Sequence, residues 1–255
     1  MSVPGAKRRV ELVIPSFVEK MKRCNSNPGK YGPVTIAVLG DSVTQGCFEL
    51  FRTGEDGFDT SYDPAYSYIN RLKEKINYFF PRVYLNIING GISGDNAPGG
   101  FARMERDVMA FHPDLLIVSF GLNDCGAGEE GLSRYTDAIR SIVRRAKQDG
   151  TEVIFFSDNA VAKYVDPRIE IPSLRNIAAG CARNHELGWD RRYFEEGGKA
   201  AAEEGAVFCD FNARWMALEA AGADMTARLC NHVNHPERTM HEWFAGYLFD
   251  TIFFD

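Results

Sequence analysis

The chain has 255 residues, 45% of them apolar and 25% charged, which is enough to bury one sizeable core and sets one domain as the expectation. Its 35 acids and 29 bases are spread along the chain for a formal charge of -6, so no basic face is offered to a phosphate backbone and nucleic acid is excluded as an expected partner. No stretch reaches the roughly 18 apolar residues of a membrane span, and Lys7, Arg8 and Arg9 are not followed by the apolar run of a secretory signal. No membrane partner is therefore expected, and the expected location is the cytoplasm.

Residues 1–33 read as an N-terminal extension to a core of about 34–255. The first apolar, β-branched run, Val34 to Leu39, has strand length and leads directly into Gly40-Asp41-Ser42-Val43-Thr44-Gln45-Gly46. This puts a hydroxyl on a tight turn at the carboxyl end of a strand. It reads either as a helix cap, in which Asp41 or Ser42 accepts from free backbone N–H groups, or as a placed nucleophile with Asp41 as a substrate-binding candidate. Thr53 to Pro64 reads as a polar loop forming a lid or rim, and Tyr66 to Phe80 as a crossover helix ended by Pro81.

A second strand, Val83 to Ile88, runs into Asn89-Gly90-Gly91-Ile92-Ser93-Gly94-Asp95. Glycine there lets the backbone approach a ligand and donate an N–H. The spacing is not that of a dinucleotide loop, and no phosphate-binding lysine follows, so no nucleotide cofactor is expected. Phe101 to Phe111 reads as the second crossover helix, ending before Pro113. The third strand, Asp114 to Phe120, is followed by Gly121-Leu122-Asn123-Asp124, either turn chemistry or an amide donor at the same sheet edge.

Leu132, Tyr135, Ile139, Ile142, Val143 and Ala146 recur at helical spacing, with Gly150 as the stop. Glu152 to Phe156 and Ala206 to Cys209 complete five strands, and further helices are expected within Ser173 to Glu204, from Ala213 to Ala221 and from Glu237 to Phe254. Strands alternating with helices predict an α/β fold with a doubly wound five-stranded parallel sheet of flavodoxin-like order. Reactive groups should collect at the carboxyl ends of its strands. Six cysteines without a C-x-x-C pair read as reduced thiols.

The three turns meet at one edge in such a sheet. Ser42 offers a hydroxyl and its own N–H, Gly94 a backbone N–H and Asn123 a side-chain N–H, the donors an oxyanion requires. The missing base falls to the segment Cys230-Asn231-His232-Val233-Asn234-His235-Pro236, with His241 beyond it.

Gly40-Asp41-Ser42, Gly94, Gly121-Leu122-Asn123-Asp124 and His235-Pro236 stand in the order and separations of the four blocks of the SGNH, or GDSL-like, hydrolases, and from about Val34 to Ala245 the chain resembles that family. The resemblance implies a three-layer α/β/α domain working without metal or other cofactor. It also implies Ser42 as nucleophile, His235 as base, and Ser42, Gly94 and Asn123 as oxyanion donors. One position departs: where members usually carry the triad aspartate, three residues before the histidine, stands His232, flanked by Asn231. Either a backbone carbonyl or water orients His235, or Asn231, His232 or a distant acid does so. The expected substrate is a short-chain or acetyl ester, including one carried on a carbohydrate, because no long apolar insertion suggests an acyl tunnel. Two other readings stand beside it: a metal site built from Cys230, His232, His235 and His241, and a binding module that has lost turnover.

Overall fold

The computed structural model describes residues 12–254; Lys7, Arg8 and Arg9, on which the expectation of no secretory signal rested, lie outside the described residues. Among the described residues seven strands form: β1 (Val34–Gly40), β2 (Cys47–Arg52), β3 (Phe58–Tyr62), β4 (Leu85–Gly91), β5 (Leu115–Ser119), β6 (Glu152–Ser157) and β7 (Val207–Asp210). Five make one parallel sheet in the order β4-β1-β5-β6-β7, with Val38 opposite Ile117 and Ile117 opposite Ile154. Counting the sheet strands along the chain, this is the flavodoxin-like order 2-1-3-4-5. Ile36, Val38, Ile117, Val118 and Ile154 are fully buried, as strands covered on both faces require.

The helices are α1 (Pro15–Ser26), α2 (Pro28–Tyr31), α3 (Ser42–Gln45), α4 (Tyr68–Phe79), α5 (Ala97–Asp107), α6 (Gly128–Gln148), α7 (Pro172–Glu186), α8 (Trp189–Glu203), α9 (Asn212–Ala220) and α10 (Arg238–Phe253). Consecutive residues of β6 show the two covering layers, because neighbours on a strand point to opposite faces. Phe156 meets Tyr68 of α4 and Phe244 of α10, with ring centroids 5.3 and 5.6 Å away. Phe155 points the other way, where α8 approaches so closely at Gly197 that a Cβ there would strike the Phe155 ring. α5, α6 and α8 pack in series on that second face.

Three features depart from the sequence expectation. The packed body starts well before residue 34, because Phe17, Val18, Met21 and Cys24 of α1 are buried in the main core. The side chain of Glu152 accepts from the N–H groups of Ser16 and Phe17, and Lys20 pairs with Asp114 at 2.6 Å, so α1 is fastened to the starts of two strands. Second, the segment read as a polar loop belongs largely to an antiparallel hairpin, β2 and β3, whose register shifts between Cys47 and Leu50. Third, β4 starts at Leu85 instead of Val83 and runs on through Asn89, Gly90 and Gly91.

Candidate active site

Ser42 is the first residue of α3, directly beyond the carboxyl end of β1. The Asp41 side chain accepts from the Val43 N–H at 2.9 Å and caps this short turn. Asp41 is buried and does not line the cavity above Ser42, so its role as a substrate-binding candidate is corrected to that of a cap. The turn sits close on β4 because residue 91 is glycine; a Cβ there would run into the backbone of Thr44 and Gln45.

The loop after β4 is tied to the same turn. Gln45 Oε1 accepts from the Ser93 N–H at 2.7 Å, and Asn89 Nδ2 donates to the Thr44 carbonyl at 3.0 Å. Gly94 has φ +78°, a conformation glycine adopts without strain, and its N–H takes no acceptor among the described residues. Asn123 Nδ2 donates to the Asp95 carbonyl at 2.8 Å, while Asp41 Oδ2 lies 3.4 Å away. One amide proton is thus committed to the loop, and the other is weakly engaged. Ser42, Gly94 and Asn123 line one cavity of about 280 Å³, together with His235.

The Ser42 hydroxyl lies 3.0 Å from His235 Nε2. On the other side of the ring, Nδ1 lies 3.0 Å from the carbonyl oxygen of Phe48, on β2. A carbonyl can only accept, so Nδ1 carries the proton and donates, which leaves the Nε2 lone pair facing the serine. Burial holds the His235 imidazole below its ordinary pKa, partly offset by the Phe48 carbonyl. The ring is therefore neutral at neutral pH and able to take a proton.

Neither residue considered as an orienting group touches that ring. His232 sits at φ +60° with Nδ1 3.4 Å from Asp166, away from His235. Asn231 acts on the backbone: its Oδ1 accepts from the N–H groups of Val233, Asn234 and His235 at 3.0, 2.9 and 2.8 Å. The carbonyl alternative is the one the geometry presents, with Phe48 as its source. The four ligand-type side chains of the metal reading are also dispersed. Cys230 faces backbone carbonyls, His232 faces Asp166, and His235 faces Ser42. His241 Nδ1 accepts from the Tyr68 N–H deep in the core, where burial pushes its pKa down to about 3. Among the described residues no three His, Cys, Asp or Glu side chains are grouped as metal ligands.

Two supporting residues escaped the sequence reading. Arg103 of α5 donates to the carbonyls of Gly90 and Gly40 at 2.6 and 3.0 Å and to Asp95 at 2.6 Å, so one part-buried guanidinium binds two strand ends to the Gly94 loop. An arginine on the inward stripe of an amphipathic helix was the available signal. Asn159, just beyond β6, donates to the Asn234 carbonyl at 2.8 Å and holds the histidine loop. Burial, with the charges of Asp124 and Asp95, raises the Asp41 carboxyl to about 7, and burial, with the charge of Asp41, holds the Asp158 carboxyl well above the usual carboxylate range.

The model of the GDSL-like lipase/acylhydrolase family matches residues 38–243. An acetylxylan esterase of Geobacillus stearothermophilus is 31% identical over 121 residues, 44% of this chain and 53% of that protein. Esterase TesA of Pseudomonas aeruginosa is 25% identical over 138 residues, 53% of this chain and 60% of that protein. The chain spans about half the length of these curated relatives. Among solved structures, an acetyl-xylooligosaccharide esterase from the same Geobacillus species superposes with TM-score 0.62 at 21% identity, covering 87% of this chain and 95% of that one. A two-domain esterase active on acetylated mannans superposes with TM-score 0.63 at 20% identity, covering 93% of this chain and 52% of that one. At these identities the superpositions speak for the fold.

Proposed function

Because the chain belongs to the GDSL-like lipase/acylhydrolase family, we propose that it is a serine esterase that removes short acyl groups, acetyl above all, from a hydroxyl-bearing carbohydrate or similar alcohol. The observation that carries this reading is the 3.0 Å contact between Ser42 Oγ and His235 Nε2 at the wall of a cavity shared with Gly94 and Asn123. Ser42 Oγ attacks the acyl carbonyl as His235 Nε2 takes its proton. The carbonyl oxygen becomes an oxyanion, met by the N–H groups of Ser42, Gly94 and Asn123. Collapse returns the electron pair to the carbonyl and expels the alcohol, which leaves with the proton from Nε2. Water, deprotonated by His235, then attacks the acyl carbon, and collapse of this second intermediate releases the carboxylic acid as His235 Nε2 returns the proton to Ser42 Oγ.

The acyl preference follows from size. A cavity of about 280 Å³ lies at or just below the small end of ligand pockets, which run from roughly 300 to 1,000 Å³, and suits a short acyl group better than a lipid chain. The activities of relatives on acetylated xylan and acetylated mannan favour a carbohydrate as the alcohol part. A reducing compartment such as the cytoplasm fits Cys24, Cys47, Cys125, Cys181 and Cys230, which are free thiols. The test is a chain-length series of p-nitrophenyl esters followed by acetylated xylo- and manno-oligosaccharides. The reading expects kcat/KM to fall beyond butyrate and acetate to be released from at least one sugar. Preference for long acyl chains would refute it.

A further inference from the structure

We infer that Arg238 is a positioning residue for His235, acting through Phe48 and Glu49 where the aspartate of the family pattern is missing. The inference rests on the Ser42–His235 reading and adds the group that holds the base in place.

The orienting acceptor, the Phe48 carbonyl, belongs to an exceptional piece of strand. Phe48 and Glu49 fall in the stretch where the register of the β2–β3 hairpin shifts, so a regular ladder does not fix them. A carbonyl in such a stretch orients an imidazole only if something else sets its position. Arg238 supplies three restraints on it. Its Nη1 and Nη2 both reach the Glu49 carboxylate, the second at 3.2 Å. Its Nε donates at 3.0 Å to Asp63, just beyond β3, which ties both ends of the hairpin to one cation. Its guanidinium carbon lies 4.3 Å from the centroid of the Phe48 ring itself.

Arg238 opens α10 and follows His235 by three residues. The base and the clamp on its acceptor are therefore carried by one short segment, so a shift of the hairpin relative to the histidine must break the Arg238 contacts. Glu49 is held further by the Ser61 hydroxyl at 3.0 Å, and the Arg238 bond keeps its carboxyl ionised, down to about 2. Arginine is the residue type this requires, since its planar fork reaches two carboxylates while its face covers an aromatic ring; a lysine ammonium cannot do both.

The experiment compares Arg238→Met, Arg238→Lys, Glu49→Gln and the Arg238→Met/Glu49→Gln double variant on p-nitrophenyl acetate, with thermal unfolding and the rate of fluorophosphonate labelling alongside. Loss of positioning predicts that Arg238→Met lowers kcat and the labelling rate together by about tenfold or more, with KM within about twofold, since small misplacement of a catalytic group is expensive. Arg238→Lys should recover part of the loss, and the double variant should lose little more than the worse single one, as for members of one network. Glu49→Gln keeps the size of the side chain and carries the test if Arg238→Met fails to fold. The inference is overturned if kcat and labelling stay at the unaltered level, if only KM rises, or if only the unfolding temperature drops. Should Ser42→Ala retain turnover in the same assays, the esterase reading itself fails, which is a separate result.

Discussion

The carbonyl oxygen of Phe48 and Nδ1 of His235 stand 3.0 Å apart, on the side of the ring away from Ser42. This pair fixes the tautomer and the direction of the imidazole without placing a carboxylate there. A neutral acceptor stabilises the imidazolium less than an anion does, so the base depends on burial and geometry.

That dependence sets the pH profile. Because burial holds His235 below the ordinary histidine pKa of about 6.5, the ring stays unprotonated as pH falls through that value. The acid limb of kcat/KM is expected below pH 6.5. Rates measured from pH 4.5 to 8 check this, and a midpoint above 6.5 would show a base stabilised by a nearby anion.

Asn123 is expected to act on the carbonyl oxygen, because its amide holds the Asp95 carbonyl with one proton and faces the cavity beside Ser42 and Gly94. Asn123→Ala should lower kcat by about a hundredfold, on the order of 3 kcal/mol, with little change in KM. A loss of thermal stability with kcat unchanged would make it a turn residue only.

His232 and Asn231 should separate by rank. His232 faces Asp166, so His232→Ala is expected to cost no more than about tenfold in kcat, roughly 1.4 kcal/mol. Asn231→Ala removes the acceptor of three backbone N–H groups in the histidine loop and should cost more. The reverse order in measured kcat would return His232 to the site.

A buried histidine far from the chemistry offers a stability test. His185 Nδ1 lies 2.7 Å from Asp190 and Nε2 3.1 Å from Glu219, and these carboxylates raise its pKa to about 9. A raised histidine pKa contributes stability that is fully present below the unfolded value near 6.5 and is lost as pH rises through about 9. The gap in unfolding midpoint between the unaltered chain and His185→Gln should therefore be large at pH 6 and narrow by pH 10. A gap that does not change with pH would show that the ion pairs contribute nothing.

Much of this was legible from residue order. Buried parallel strands are uninterrupted apolar runs, so β1, β5 and β6 fell within a residue of expectation, and Ser42, Gly94, Asn123 and His235 meet because all four follow strand ends or the last loop. The hairpin was missed although Phe58, Thr60 and Tyr62 alternate in period two, because exposed Asp59 and polar Ser61 between them give the segment the composition of a loop. α1 was missed because a side chain 136 residues away, Glu152, caps it. The acceptor on His235 was hidden for a deeper reason. It is a main-chain oxygen, and every residue carries one; the one that meets the ring lies where the register of the hairpin shifts.

The most direct measurement is fluorophosphonate labelling followed by peptide mass spectrometry, with acetate release from p-nitrophenyl acetate recorded on the same samples. The account predicts one adduct, on the peptide bearing Ser42, and loss of both adduct and turnover in Ser42→Ala. It also predicts near-complete loss of both in His235→Ala, because the 3.0 Å contact that takes the serine proton is gone. An adduct on another residue, or ordinary turnover by Ser42→Ala, would contradict it.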